Sequence, residues 1–333
     1  MSDRDVAPGR DLSPAPFRLG VTLHSFAAEY TSFVWSFEDL MRLAAAAGGG
    51  VEIVGPSHQR GFPYLTPEFE AAFKSSVERN GLTPTSYGSY ADPFMLPGRD
   101  LSPEELVAYT IPQLEGAARL GFPIVRLQHF VAEVIQELLP WAEKLDLVLG
   151  YELHTPMTLE SARTQFLMET VTTHDTPHLG IIPDAGIFGR SISQAHLEAG
   201  RRAGIGEDEL AIAVEAWNAG RELEEALELL GSPDPKSRLT TWTGMVWDTF
   251  GHSEPAALRE VIDRVVHVHG KFFTIVDGDE PDLRYRELVH TLVDLGYTGW
   301  ISSEYEGDAP DSFAMVAAHQ RMIRAHVASY RPA

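Results

Sequence analysis

Four polar residues close four separate apolar, strand-like runs: Glu152 in LVLGYE, Asp184 in LGIIPD, His269 in VVHVHG and Glu304 in GWISSE. Glu152 and Asp184 are 32 residues apart, and His269 and Glu304 are 35 apart. Each interval fits one strand–helix repeat of a parallel α/β fold. Residues at the carboxyl ends of such strands converge on one mouth, where (β/α)8 barrels assemble their active sites. A single Glu or Asp after a strand is more often a helix cap or a surface charge. Four on this spacing predict a metal site. Three carboxylates and one imidazole form a hard donor set that suits Mn²⁺ or Mg²⁺, with Co²⁺ also acceptable. The chain has no Cys to offer a soft ligand.

Further polar residues sit close to these positions. His154 lies two residues beyond Glu152, so strand pleating turns both to the same side, and His154 is expected beside the metal. His267 and His269 share a face, with His267 one layer deeper. Lys271 lies two further on, within reach of a substrate oxygen unless it points to solvent. Glu306 shares a face with Glu304 but falls beyond the apolar run and reads as a rim residue. The other inward candidates are His24 after the first strand, Tyr87 and Tyr90 after the third, and Gln128 and His129 after the fourth. Phe26, Trp35, Phe94 and Trp242 are candidate walls for a ring-shaped substrate, though core packing accounts for each singly.

The elements that must carry these residues are marked by caps and breakers. A helix is expected over Phe37–Ala47, with Ser36 as N-cap and GGG at 48–50 ending it before the strand VEIV. Thr66 and Pro67 open the next helix and Asn80-Gly81 closes it. Ser102-Pro103-Glu104-Glu105 combines an N-cap, a first-turn proline and a capping-box Glu. The strand PIVRLQ is followed by a helix broken near Pro140. The rhythm gives eight repeats, hence an α/β chain folded as a (β/α)8 TIM barrel over residues 17–333, preceded by a flexible arm over 1–16. One interval departs from it: 85 residues separate Asp184 from His269, about fifty more than one repeat needs. This predicts a helical insertion between strands six and seven, at about residues 190–260, with helices at Glu207–Ala219 and Arg221–Leu230. Its expected role is a lid or partner-binding surface.

Composition narrows the function. With 48 acidic against 26 basic residues, the net charge is −22, which disfavours nucleic acid and anionic membranes as partners. No apolar run of membrane-spanning length occurs, and MSDRDVAPGRDLSPAP lacks the apolar core of a signal peptide, so a cytoplasmic enzyme is expected. Neither a glycine-rich phosphate loop nor a GxSxG elbow is present.

The segments GVTLHSF, GGGVEIVG, YELH, HVHGKF and GYTGWISSEYEG resemble the xylose isomerase-like TIM barrels, a superfamily of sugar isomerases, keto-sugar epimerases and inosose dehydratases. The resemblance spans about residues 17–330 and implies Glu152, Asp184, His269 and Glu304 as ligands of a divalent ion, usually Mn²⁺. Keto-sugar epimerases carry a His shortly after the strand-six Asp and an Arg six residues beyond the strand-seven His. Here those stretches read DAGIFGR and HGKFFTIV, which argues against a simple epimerase. With VEIVGPSHQRGFP, GLTPTSYGSYADPFML and GFPIVRLQ, and the long insertion, the chain is most similar to the large (α) subunit of bacterial C-glycoside deglycosidases.

That resemblance implies a carbon–carbon lyase acting on 3-oxo-glucosides. His154 would take the C2 proton, with His129 as the alternative base, while the ion stabilises the resulting negative charge. The aglycone then leaves C1 by β-elimination, assisted by His24 or His129 as acid. A small β subunit is an implied partner. The alternatives are a sugar isomerase or 3-oxo-sugar epimerase working on a keto-sugar with the same enolisation chemistry, or a metal-stabilised scaffold subunit.

Overall fold

In the computed structural model, the described residues are 16–91, 95–96, 98–232 and 234–332; the expected arm over 1–16 falls almost wholly outside them, as does Phe94. Eight strands form the core: β1 (Arg18–Thr22), β2 (Gly50–Val54), β3 (Thr83–Gly88), β4 (Ile124–Leu127), β5 (Val148–Leu153), β6 (Leu179–Pro183), β7 (Val268–Phe272) and β8 (Trp300–Tyr305). All pair in parallel in the order β6-β5-β4-β3-β2-β1-β8-β7. Two isolated parallel bridges, Ile181 with Val265 and Asp184 with His269, bring the free edges of β6 and β7 together. The sheet is thus a nearly closed barrel, and the seam passes through two of the predicted site residues.

Helices α1 (Ala27–Thr31) and α2 (Phe37–Ala46) follow β1, and α3 (Gly55–His58) and α4 (Pro67–Asn80) follow β2. After β3, β4 and β5 come α5 (Pro103–Leu120), α6 (Ile135–Leu145) and α7 (Ala162–His174). Four helices, α8 (Gln194–Arg202), α9 (Glu207–Asn218), α10 (Leu223–Leu229) and α11 (Arg238–Thr249), lie between β6 and β7. Last come α12 (Tyr285–Asp294) and α13 (Ser312–Ser329).

Local chemistry sets these boundaries. Reciprocal capping boxes open α2 at Ser36 and Asp39 and α5 at Ser102 and Glu105, satisfying otherwise orphaned first-turn N–H groups. Gly81 and Gly121 end α4 and α5 with φ of 63° and 87°, a conformation that costs a glycine little.

The break expected near Pro140 does not occur. Helix α6 runs through it because the position is tolerant: Pro140 and Gln136, whose carbonyl loses its partner, both face solvent, while Leu138, Leu139 and Ala142 are buried against the barrel. The helices between β6 and β7 are tied to the turn after β5. Thr155 Oγ1 donates to the Asp248 carbonyl of α11, and Ser253 Oγ accepts from Leu159 N at 2.8 Å. Trp242 belongs to this layer: it is buried, and its indole N–H donates to the His196 carbonyl at 2.9 Å. No helix among the described residues is long and apolar enough to cross a membrane.

Candidate metal centre

The carboxyl ends of β5, β6, β7 and β8 bring Glu152, Asp184, His269 and Glu304 together. One ligand atom from each lies within 4.8 Å of the others, and all four side chains are buried. His269 Nδ1 is 2.8 Å from Glu152 Oε1 and 3.1 Å from Glu304 Oε2. Asp184 Oδ1 accepts the Gly186 N–H at 2.6 Å, which fixes the carboxylate. Its Oδ2 is buried with no hydrogen-bond partner among the described residues. The Lys271 ammonium, 3.5 Å away, offsets its charge without a hydrogen bond, which leaves a lone pair to face a further cation. Three hard oxygens and one imidazole nitrogen, enclosed at this spacing, fit a divalent ion.

Opposing effects of burial and neighbouring charge set the protonation of the cluster. Burial would raise the carboxyl of Glu152, but the Arg126 guanidinium and the His269 imidazolium hold it below its ordinary range. Burial is likewise outweighed at Glu304, which His269 and Lys271 hold low. At Asp184 burial prevails over Lys271 and pushes the carboxyl up to about 6. His269 is held well above its ordinary value, because Glu52, Glu304 and Glu152 overcome its burial.

Lys271 is not at the surface but only 2% exposed. Its Nζ is 3.5 Å from Asp184 Oδ2, 3.2 Å from Glu306 Oε2 and 2.6 Å from His154 Nε2. Asp184 and Glu306 raise its pKa despite burial, so it is an ammonium and donates. His154 Nδ1 lies 2.6 Å from the Thr155 carbonyl, which can only accept. His154 therefore carries its proton on Nδ1 and directs the Nε2 lone pair toward Lys271.

Glu306 follows β8 at the rim, as the sequence implies, but its carboxylate turns inward to Lys271 and stands 3.8 Å from His24 Nε2. A cavity of about 520 Å³ opens beside Glu152 and His154, with Gln128, Phe130, Met157 and Arg163 among its walls. A second, of about 500 Å³, lies on the β8–β1 side and contains His24 and Glu306. Gln128 lines the first cavity and accepts the Ala91 N–H at 3.3 Å.

Tyr87 is a correction. On β3 the side chain of Ser86 turns into the barrel to donate to Glu52, so the pleat sends Tyr87 outward. There it is fully buried against Phe122, with its hydroxyl donating to Gln59 Oε1 at 2.9 Å, away from the mouth. His129 begins the turn after β4, and its side chain lies outside the described part of the structure. His267 is buried one layer below His269, 3.0 Å from Ser302 Oγ, and burial lowers its pKa to about 3.

Two site residues escaped the sequence reading. Glu52 on β2 is fully buried and lies 2.9 Å from His269 Nε2. Arg126 on β4 reaches Glu152 Oε2 at 2.5 Å and Glu52 Oε1 at 3.6 Å. The signal for both was a charged residue inside a short apolar strand, in VEIV and IVRL, where an unpaired charge is rarely tolerated.

A barrel of eight parallel strands with this acidic and imidazole cluster at its carboxyl mouth places the site where (β/α)8 barrel enzymes carry theirs. The chain belongs to the xylose isomerase-like TIM-barrel family, whose match covers residues 41–326. It is 38% identical, over 332 aligned residues, to the 3'-dehydrocarminate deglycosidase alpha subunit of a Microbacterium species, covering 92% of this chain and 94% of that one. It is 34% identical over 336 residues to a C-glycoside deglycosidase alpha subunit of Arthrobacter globiformis, covering 93% of this chain and 90% of that one. Among solved structures it shares the fold of 3-keto-D-glucoside 4-epimerase from E. coli, with a TM-score of 0.54 at 14% identity over 93% of this chain and 99% of that one.

Proposed function

We propose that this chain is the catalytic α subunit of a divalent-metal-dependent C-glycoside deglycosidase, a carbon–carbon lyase acting on 3-oxo-glucosides. Its enolisation step is supported above all by His154, whose unprotonated Nε2 stands beside the four-ligand cluster and 2.6 Å from the Lys271 ammonium. The choice of elimination over epimerisation is supported by relatives that align over nearly their whole length and are named deglycosidase alpha subunits.

Glu152, Asp184, His269 and Glu304 would hold the ion, with Mn²⁺ the first choice and Mg²⁺ or Co²⁺ as alternatives. When bound, the ion supplies a Lewis acid that stabilises negative charge on the sugar oxygens. As Lys271 turns its N–H from His154 to the substrate oxygen, the freed Nε2 lone pair of His154 accepts the C2 proton. Lys271, held by Asp184 and Glu306, presents positive charge where the enolate oxygen becomes negative. As the C3 carbonyl re-forms, the C1–C2 double bond forms and the bond from C1 to the aglycone breaks. The departing aryl carbon takes a proton, and His24 on the opposite side of the mouth is the donor in this scheme. Gln128 would bind substrate. A small β subunit is the proposed partner, and residues 190–260 offer it a surface or act as a lid.

The test is incubation of the purified chain and Mn²⁺ with a 3-oxo-C-glucoside in D₂O, with and without a co-expressed partner. Free aglycone is measured by chromatography and C2 exchange by NMR. Aglycone release supports the lyase. Exchange without release reassigns the chain to isomerase or epimerase chemistry, and neither signal under any condition removes the enolisation mechanism.

A further inference from the structure

His269 lies between carboxylates on both of its nitrogens. Nδ1 faces Glu152 and Glu304, while Nε2 lies 2.9 Å from Glu52 Oε2. A neutral imidazole has one N–H, and it can bind a cation only through its other nitrogen. The nitrogen that keeps the hydrogen therefore decides whether the lone pair faces the four-group cluster or points away from it.

We infer that Glu52 is a positioning residue for this imidazole: its carboxylate accepts the Nε2–H of His269 and so leaves the Nδ1 lone pair directed at the cluster. The inference rests on the reading of that cluster as a divalent-metal centre. Glu52 is well placed for the task because it is fully buried and held from two sides. Ser86 Oγ donates to the same Oε2 that faces His269, and Arg126 Nε stands 3.6 Å from Oε1. Arg126 also binds Glu152 Oε2 at 2.5 Å, so one guanidinium spans the positioning carboxylate and a ligand carboxylate. With Glu52, His267 and His269 drawn close together, a second cation there is a rival reading. The Ser86 hydroxyl already donates to Oε2, and His267 Nε2 faces Ser302 Oγ at 3.0 Å rather than an open site. A carboxylate that orients a ligating histidine through its far nitrogen typically governs metal affinity by about 10- to 100-fold.

The experiment is Mn²⁺ titration by EPR on the wild type, Glu52→Gln and Glu52→Leu, with circular dichroism and metal-free melting temperature to establish folding. The visible spectrum of the Co²⁺ form reports on the imidazole donor. One Mn²⁺ per wild-type chain is expected. Glu52→Leu, which can accept no hydrogen bond, should weaken Mn²⁺ by about 10- to 100-fold and shift the Co²⁺ bands. Glu52→Gln, whose amide oxygen still accepts, should lose less. Should Glu52→Leu fail to fold, Glu52→Ala, which removes the acceptor without adding bulk, decides: an unchanged Kd with unchanged Co²⁺ bands overturns the inference. Equal losses in folded Gln and Leu variants would mean that charge alone acts, which also overturns it, as would two Mn²⁺ per chain. A wild type that binds no Mn²⁺ removes the metal reading itself, whereas wild-type affinity surviving in Glu52→Leu removes only the role of Glu52.

Discussion

Replacing His154 by alanine separates the proton-transfer step from metal binding and from folding. The side chain is only half-buried and makes two polar contacts, to the Thr155 carbonyl at 2.6 Å and to Lys271 Nζ at 2.6 Å. After its removal Lys271 keeps both of its carboxylate neighbours, Asp184 at 3.5 Å and Glu306 at 3.2 Å. No buried charge is then stranded, and the stability loss should stay near about 1 kcal/mol, the net worth of a hydrogen bond. None of the four cluster residues changes, so metal content should match the wild type. Loss of a general base typically lowers kcat by about 10²- to 10⁴-fold, or about 3–5 kcal/mol in the barrier. The assay is aglycone release and C2 deuterium exchange by His154→Ala, alongside metal analysis and thermal melting. Both rates should fall together at constant metal content. A variant that keeps its metal and releases aglycone within tenfold of the wild-type rate would refute His154 as the base.

Chelation should lower the melting temperature and added Mn²⁺ should restore it. At a hundred times Kd the ion adds about 2.7 kcal/mol of stability, and a melting curve indifferent to EDTA and Mn²⁺ contradicts the metal centre. Glu280 is not one of the four cluster residues: burial and the neighbouring Asp282 push its carboxyl from 4.5 up to about 8. With the folded pKa above the unfolded one, its contribution is complete below pH 4.5 and is lost as pH rises to about 8, at up to about 1.4 kcal/mol per pH unit. Glu280→Gln should therefore be more stable than the wild type at pH 8 and lose that advantage at pH 4.5, as read by urea melts; parallel pH profiles would contradict this. Ser102→Ala removes the α5 cap and should cost about 1 kcal/mol in the same assay, with no change in metal affinity.

The sequence carried the architecture because each device that sets it is local. Strand ends, the capping boxes at Ser36 and Ser102 and the glycine stops at Gly81 and Gly121 are all written within a few residues. The spacing of Glu152, Asp184, His269 and Glu304 was legible for a related reason: a regular repeat turns sequence distance into angular position around a barrel. Pro140 was misread because its effect depends on which way the helix faces, and Tyr87 because the inward side of β3 is fixed by Ser86 meeting Glu52 from another strand.

Composition and spacing thus determined the repeat, the mouth and the four converging residues. Only the tertiary structure decided which groups hold which. It placed Glu52 behind His269, spanned Glu52 and Glu152 with Arg126, and buried Lys271 between Asp184, Glu306 and His154. These partners lie between 26 and 217 residues apart in the cases of Arg126 with Glu152 and of His269 with Glu52. The field that sets a buried group's protonation comes from neighbours in space, and no local pattern specifies them.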